Sequence, residues 1–392
     1  MTGDGVNYIT DFDRVIDADC EAGAASGGGL LSTDVSLANK GMFGSLFREV
    51  GKNMLAGKSI TQISLPCTFF EARSTLYREL EYFRATPLLV RPEQTEGETE
   101  DSILSDFYAV CAYVVAGLHR FGGARKAFNP ILGETLQCSL SDGTACYASQ
   151  PSHHPPVTQV LLDSPSFRVH GCAELYAKMK GKTVGVKQIG TFTVELKGRG
   201  PGGAKRVYTY TIPDALTTGV TGGDKYTRYT SECVVYDAAN GLECVIAFPN
   251  RKKGSADEIE GAVHRVADTG VREAYYATKE SKRKDKQRVA YQGGSGPVSV
   301  LTGNWLSHLH VSVEGVDTLL WERKGMDLPT IEPREGERET LLPSDGMFRP
   351  DVTALGEGDM EAAQVAKEAG ENGQRRDRRL RNGTEPETPS QK

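Results

Sequence analysis

Two adjacent histidines, His153 and His154, stand directly before Pro155 and Pro156. Two prolines fix the backbone φ and remove two N–H donors, so this segment is predicted to be extended and rigid. Imidazole donates hydrogen bonds and titrates near neutrality, so a dianionic phosphate can hold it in its charged form. Because neighbouring side chains of an extended chain point in opposite directions, both rings can face one ligand only where the strand ends or bends.

Two other interpretations of this histidine pair remain open. The two side chains can be satisfied by hydrogen bonds within a loop, without any ligand. Metal binding is the other alternative, but no third histidine or carboxylate lies at a spacing typical of a metal site.

A second group of charged residues lies near the end of the chain. Lys367, Glu371 and Arg375 follow one another at intervals of four, which predicts that they share one helix face. Lysine and arginine offset phosphate charge, and arginine can bind two oxygens at once. The alternative is a surface ion-pair ladder, in which each pair contributes only ~0.3–0.5 kcal/mol. Gly370 and Gly373 each cost about 1 kcal/mol of helix stability, so we expect this helix to be loose without a ligand.

Lys126 is a third candidate. It follows the Gly122-Gly123 turn and precedes the rigid corner at Asn129-Pro130. Taken alone, it is a lysine in a loop.

The elements that must position these residues are mostly strands. Asp142-Gly143 and Asn240-Gly241 lie between apolar runs, which is the strongest short-range signal of a hairpin. Glycine-rich turns between many short strands indicate a sheet that curls or closes. Apolar residues at helical spacing also predict two helices. The predicted strands are 134–140, 144–149, 206–212, 231–236, 242–248 and 309–321, and the predicted helices are 72–84 and 103–121, the second capped by Asp101 or Ser102.

The first part of the chain differs in character. Residues 1–40 begin with an acidic, glycine-rich segment, which predicts a disordered lead-in. An apolar stripe at helical spacing follows, and it indicates either a short helix packed on the core or a lid that touches membranes. The stripe consists of Met42, Phe43, Leu46, Phe47, Val50 and Met54.

Composition excludes several classes of protein. The 392 residues carry a net charge of −6, so no global basic field attracts nucleic acid. The eight cysteines form no C-x-x-C pair and are interpreted as reduced, cytosolic thiols. No continuous run approaches the ~18 apolar residues of a membrane span. Two basic stretches, 279–288 and 375–381, are either solvated or attracted to anionic headgroups.

Several segments together resemble the lipid-binding domain of the oxysterol-binding proteins. Residues 149–156 read S-Q-P-S-H-H-P-P, similar to the family fingerprint E-Q-V-S-H-H-P-P, and residues 126–134 resemble K-P-x-N-P-x-L-G-E. Residues 348–351 read F-R-P-D, as in the family, and residues 367–375 match K-x-x-x-E-x-x-Q-R. The substitutions at Ser149, Pro151 and Ala127 remove no headgroup-contacting side chain. The barrel entry at 57–66 and G-N-W at 303–305 extend the resemblance over roughly residues 41–381.

The resemblance implies a β-dominated α+β fold, a large incomplete antiparallel β-barrel with an N-terminal lid and flanking helices. It divides the chain into the lead-in at 1–40, a lipid-binding domain at 41–381 with its lid at about 41–58, and a disordered tail at 382–392. The residues that it implies for binding phosphatidylinositol 4-phosphate at the pocket mouth are Lys126, Asn129, His153, His154, Lys367, Glu371 and Arg375.

The implied function is the exchange of this phosphoinositide for a second lipid, either a sterol or phosphatidylserine with the sterol favoured, between apposed membranes. The protein would be a cytoplasmic monomer that visits organelle membranes peripherally and uses no cofactor. One alternative is a lipid sensor or signalling adaptor that binds the same ligands without bulk transfer. A hydrolase with a histidine base is the other, but the sequence has no nucleophile elbow and no triad partner in register.

Overall fold

The computed structural model describes residues 30–31, 65–90, 99–121, 126–219, 226–249, 257–278, 283–294, 296–333 and 339–383. The lid predicted at 41–58 lies outside the described residues, as do most of the predicted lead-in and most of the predicted tail.

One large antiparallel sheet dominates the described structure. It contains sixteen strands, and a further pair of parallel strands stands apart from it. The strands are β1 (Leu30–Leu31), β2 (Phe70–Ser74), β3 (Lys126–Phe128), β4 (Thr135–Leu140), β5 (Ala145–His153), β6 (Pro156–Asp163), β7 (Phe167–Lys180), β8 (Thr183–Leu196), β9 (Arg206–Tyr210), β10 (Ala215–Thr218), β11 (Tyr226–Tyr229), β12 (Cys233–Asp237), β13 (Leu242–Ala247), β14 (Glu258–Arg265), β15 (Ser299–Asn304), β16 (His308–Val313), β17 (Val316–Glu322) and β18 (Ile331–Pro333).

The sheet curls around the core without closing on itself. Its strand order is β17-β16-β15-β14-β13-β12-β9-β8-β7-β6-β5-β4-β18, with β10, β11 and β1 branching from β8. Within the described residues the end strands β17 and β18 do not pair with each other. The predicted incomplete antiparallel barrel is confirmed.

Six α-helices accompany the sheet in the described parts of the chain. Their bounds are α1 (Thr75–Glu81), α2 (Glu100–Ala116), α3 (Thr269–Ala277), α4 (Asp285–Tyr291), α5 (Pro350–Gly356) and α6 (Met360–Arg381).

Helix α2 fills the core. Nearly all of its residues after the first turn are buried, and the side chain of its N-cap, Thr99, accepts a hydrogen bond from the Ser102 amide. The predicted start lies three residues late because the cap is Thr99 rather than Asp101 or Ser102. At its end Gly117 approaches Tyr82 so closely that a Cβ would lie 2.3 Å from the Tyr82 carbonyl oxygen, which only glycine permits.

The segment Glu100–His119 is long and apolar enough to cross a membrane by length and composition alone. Most of it, 83% of the tested window, is buried inside the molecule. Polar residues such as Asp106 interrupt its apolar runs, which is why no continuous span is visible in the sequence. Burial of this extent is typical of a core helix, so its length and composition are weak evidence for a membrane span.

The predicted hairpins are confirmed, and Gly143 and Gly241 adopt positive φ angles of 85° and 61° at their turns. Two other expectations were wrong. Residues 309–321 form two strands rather than one, because the chain turns at Glu314-Gly315. The helix predicted at 72–84 begins only at Thr75, because the residues before it pair with β3 as strand β2.

This parallel pair positions part of the candidate site. Phe70 lies opposite Lys126, and Ser74 lies opposite Phe128. The Ser74 side chain then accepts a hydrogen bond from the Leu76 amide and caps α1. The loop lysine of the sequence analysis is therefore held in a strand.

Candidate functional site

One pocket, with a cavity volume of about 290 Å³, lies where α6 crosses the end of the β5–β6 hairpin. It contains six of the seven predicted site residues. Lys126 lies beside its wall. The lining residues are Phe70, Phe128, Asn129, Pro130, Ile131, Leu132, His153, His154, Arg349, Asp351, Lys367, Gly370, Glu371, Gln374, Arg375, Arg378 and Arg381.

The two histidines share this pocket because their strand ends between them. Strand β5 stops at His153, which pairs with Pro156 at the start of β6, and His154 lies in the turn. The ring centroids are 4.9 Å apart at an interplanar angle of 71°. Both imidazoles therefore face the same space, as the sequence argument required of a strand end.

His153 has a nitrogen available to a ligand. Its Nδ1 is buried and has no hydrogen-bond partner among the described residues. Burial lowers the pKa of His153, and the neighbouring His154 and Arg378 lower it further. An anion in the pocket would oppose all three effects by stabilising the charged imidazole.

His154 contacts a residue that the sequence analysis did not single out. The Arg378 Nη1 lies 3.0 Å from His154 Nε2. Because guanidinium only donates hydrogen bonds, Nε2 is the acceptor in this contact. Helix α6 is thereby joined to the histidine turn.

Helix α6 presents the predicted charged face to the pocket. Lys367 Nζ lies 2.7 Å from Glu371 Oε1, and Arg375 Nη2 lies 3.2 Å from Glu371 Oε2. Lys367 is only 5% exposed, whereas Arg375 is half-exposed. The ion-pair ladder therefore forms, and the same helix face lines the pocket. One carboxylate serves two cations, which leaves this face positive.

Lys126 contacts two residues of the pocket wall, Asn129 and Phe70. Its Nζ donates to Asn129 Oδ1 at 2.6 Å and to the Ala127 carbonyl at 3.0 Å. The same Nζ lies 5.0 Å from the centroid of Phe70, and Lys367 Nζ lies 5.7 Å from that centroid. One aromatic ring thus stabilises two ammonium groups from distant parts of the chain.

The crowding of cations changes the titration of Lys126. Burial lowers its pKa from 10.5 to about 7, and the positive charges of Lys367 and Arg349 add to the effect. Glu371 and Glu71 oppose it. A ligand phosphate close to this ammonium would restore its charge.

Arg349 is a buried residue that stabilises the Asn129 corner of the pocket wall. It donates to Glu134 Oε2 at 2.8 Å, to Asp351 Oδ2 at 2.6 Å and to the Asn129 carbonyl at 2.8 Å. It is 7% exposed and so holds the Asn129 corner from within the molecule. The F-R-P-D motif marked this residue in the sequence, but the motif alone did not indicate its partners.

Further residues of the wall were missed by the sequence analysis. Phe70 and Phe128 stack at a centroid distance of 4.6 Å and form an aromatic floor. Arg378 and Arg381 follow Arg375 at intervals of three within the basic stretch 375–381, so this helical spacing was the available signal. In the other basic stretch, 279–288, Arg288 donates hydrogen bonds to the Glu232 carboxylate and to the Tyr275 hydroxyl. Residues 279–282 lie outside the described structure.

The donor set fits an anion better than a metal. Among the residues that the structure describes, no three His, Cys, Asp or Glu side chains group as metal ligands. The pocket instead brings ammonium, guanidinium and imidazole groups to one space, and these bind phosphate oxygens through charge-assisted hydrogen bonds.

Several named proteins are similar in sequence to this chain over most of its length. "Oxysterol-binding protein 9" of Dictyostelium discoideum is 29% identical over 373 residues, covering 91% of this chain and 79% of that protein. "Oxysterol-binding protein homolog 2" of Saccharomyces cerevisiae is 28% identical over 353 residues, covering 83% of this chain and 26% of the relative. The human "Oxysterol-binding protein-related protein 3" is 27% identical and is covered over 34% of its length. The chain thus spans only a quarter to a third of these last two relatives.

Solved structures share the fold. The ORD domain of Osh1 in complex with ergosterol gives a TM-score of 0.66 at 20% identity, covering 88% of this chain and 81% of that one. The Saccharomyces cerevisiae Osh3 ORD in complex with PI(4)P gives 0.59 at 20% identity, covering 87% and 84%. The sequence model of the family described as "Oxysterol-binding protein" matches residues 48–391. This chain belongs to the oxysterol-binding protein family.

Proposed function

We propose that this protein is a lipid-transfer protein that binds phosphatidylinositol 4-phosphate and exchanges it for a second lipid, a sterol, between membranes. The observation that carries the proposal is the meeting of Lys126 and Asn129, the histidine pair and the α6 face around one cavity. The Osh3 ORD, which shares the fold, was solved in complex with PI(4)P, and the Osh1 ORD with ergosterol.

The charges of the pocket favour a phosphorylated headgroup. Arg349 is neutralised by Glu134 and Asp351, whereas Glu371 is shared by Lys367 and Arg375. The described residues that line the cavity include four arginines and one lysine but two carboxylates, so the wall has an excess of positive charge. Uncompensated charge in a half-buried site is costly, and an anionic ligand removes this cost.

The apolar part of a lipid requires a second surface. The inner side of the β7–β8 hairpin offers half-buried apolar side chains, among them Leu175, Met179 and Val186. Transfer of a lipid from a bilayer to such a surface is nearly balanced, because the lipid is buried in both places. The exchange therefore needs a cover for the lipid in transit, and the apolar stripe at 42–54 is our candidate.

Extraction from liposomes tests the headgroup. Protein incubated with liposomes containing phosphatidylinositol 4-phosphate should remove the lipid, and His153→Ala with His154→Ala should weaken this at least tenfold. We expect a loss of at least tenfold because each hydrogen bond to a charged group contributes about 1.5–3 kcal/mol to binding. His308→Ala with His310→Ala is the matched control, since these half-buried rings lie in β16, outside the pocket wall.

Three outcomes would contradict the proposal. Equal extraction by the wild type and the pocket variant would remove the headgroup assignment. Binding without net movement of lipid between donor and acceptor liposomes would favour a sensor. Release of inorganic phosphate on incubation would favour a hydrolase.

A further inference from the structure

The β7–β8 hairpin is longer than the strands beside it. Both strands have fourteen residues, and they pair in register from Phe167 with Leu196 to Lys180 with Thr183. Strand β6, in contrast, pairs with β7 only as far as Val157 with Glu174. The residues of β7 beyond Glu174 therefore extend past the end of β6.

This extension lies at the pocket end of the sheet. Strand β6 begins at Pro156, immediately after the turn that contains His153 and His154. At about 3.3 Å per residue, the six residues from Glu174 to Lys180 carry the hairpin tip roughly 20 Å beyond this level, measured along the strand. The tip thus projects beyond the end of the sheet at which the histidine turn lies.

The tip carries a concentration of lysines. Lys178, Lys180, Lys182 and Lys187 lie within ten residues that include no acidic residue, in a chain whose net charge is −6. All four side chains are exposed. Among the residues that the structure describes, none of the four forms an ion pair with a carboxylate.

The strand register gathers most of these lysines on one face. Lys178 and Lys180 follow Tyr176 at intervals of two and so share its side of the sheet, and Tyr176 lies opposite Lys187. Tyr176 is 38% exposed and Ile189 on the same face is 47% exposed. We call Tyr176, Lys178, Lys180, Lys187 and Ile189, with Lys182 in the turn, the lysine face.

The opposite side of the hairpin is apolar and turned inward. Val186 packs against the core, and Ala177, Met179 and Val184 are half-buried on the same side. Strand β10 pairs with β8 at Val184, Gly185 and Val186 and holds the tip in the sheet. The lysine face is therefore part of an ordered, amphipathic element rather than of a solvated loop.

We propose that the lysine face docks the protein on an anionic bilayer, with the end of the sheet that carries the histidine turn towards the membrane. Charge complementarity identifies the partner, because the four lysines outnumber Glu174, which lies at the edge of the same face and accepts a hydrogen bond from the Tyr176 hydroxyl. The excess positive charge and the exposed Ile189 match an anionic headgroup layer over an apolar interior. The inference rests on the proposed function for its purpose, since a lipid reaches the pocket only from a membrane.

Sedimentation with vesicles that contain no phosphoinositide tests the docking alone. The full chain should bind vesicles of phosphatidylcholine with phosphatidylserine, and should bind pure phosphatidylcholine weakly. Each lysine close to an anionic surface strengthens binding about fivefold. We therefore expect Lys178→Gln, Lys180→Gln and Lys187→Gln together to weaken binding at least tenfold.

Two control variants separate docking from net charge and from folding. Lys205→Gln, Arg265→Gln and Lys324→Gln remove the same charge from exposed positions outside the hairpin tip and outside both basic stretches, and they should leave binding unchanged. Lys178→Arg, Lys180→Arg and Lys187→Arg together keep the charge and should bind these vesicles as the wild type does. Equal binding by the wild type and the three-glutamine hairpin variant would overturn the inference, as would an equal loss in the control variant.

The pocket is tested independently. His153→Ala with His154→Ala should leave vesicle binding intact while weakening lipid extraction at least tenfold. If the wild type docks through the hairpin but extracts no phosphoinositide, the proposed function fails and the docking surface stands. If extraction depends on the histidines but docking does not depend on the hairpin lysines, the docking surface fails alone.

Discussion

Lys126 and Lys367 place two ammonium groups around the ring of Phe70, although one strand and one helix from distant parts of the chain provide them. The aromatic face and the Asn129 carboxamide stabilise this pair, but burial still lowers the pKa of Lys126 to about 7. Because the folded protein disfavours the charged form, its stability without a ligand should rise as pH increases from about 7 towards 10.5.

The affinity for a phosphorylated headgroup should depend on pH in the opposite direction. Below about pH 7 Lys126 is charged and ready for an anion, whereas above it binding must take up a proton. We expect the affinity to fall by up to about tenfold per pH unit between pH 7 and 9. Calorimetric titration with a soluble inositol phosphate at several pH values would measure this fall.

The control replaces the titrating group. Lys126→Arg keeps a positive charge at every accessible pH, so its affinity should be nearly constant over the same range. A wild-type affinity that is constant from pH 7 to 9 would contradict the lowered pKa.

Helix α6 carries most of the charged wall in spite of its two internal glycines. The side chain of its N-cap, Asp359, accepts a hydrogen bond from the Ala362 amide, and three arginines lie in its last turn. Both features favour the helix dipole. Burial of Ala363 and Lys367 anchors its first half against the core. The helix therefore spans Met360–Arg381 with both glycines in its interior.

Gly373→Ala should stabilise the protein by about 0.5–1 kcal/mol, because alanine has the higher helix propensity. A Cβ at this position meets nothing within 4 Å, so no clash offsets the gain. Urea denaturation followed by circular dichroism would measure the change.

Gly358, just before α6, provides the opposite case. It has a φ of 81°, where alanine is strained, so Gly358→Ala should destabilise the protein. Stabilisation by both substitutions, or by neither, would mean that the helix does not form as described.

At the scale of the whole molecule, a buried ion network joins the core helix to the sheet. Arg206 of β9 donates to Asp106 Oδ2 at 2.7 Å and to the Ser102 carbonyl at 2.9 Å, both in α2. Arg199 donates to Asp106 Oδ1 at 3.1 Å. Asp106 and Arg206 are both buried, so each depends on the other for compensation of its charge.

Asp106→Ala should cost about 3–5 kcal/mol of the free energy of unfolding, because it leaves the Arg206 guanidinium buried without its carboxylate. The midpoint of urea denaturation reports the loss. Asp163→Ala is the control, since its pairs with Arg168 and Lys197 are partly exposed and should contribute less than about 1 kcal/mol each. Similar losses for the two variants would contradict this account.

Local chemistry explains which elements could be predicted. The hairpins at Gly143 and Gly241 and the start of α2 within three residues follow from turn glycines, capping side chains and apolar spacing, all of which act over a few residues. Strand β2 could not be predicted, because its conformation comes from pairing with β3 rather than from its own propensity.

The sequence by itself determined the family, the residue types of the candidate site and the helical face of Lys367, Glu371 and Arg375, because motifs and spacing are local properties. Only the tertiary structure decided which of these groups meet. Arg349 reaches Glu134 across 215 positions, and Arg378 reaches His154 across 224. Strand register and helix packing set such distances, and both depend on the whole core rather than on any single segment.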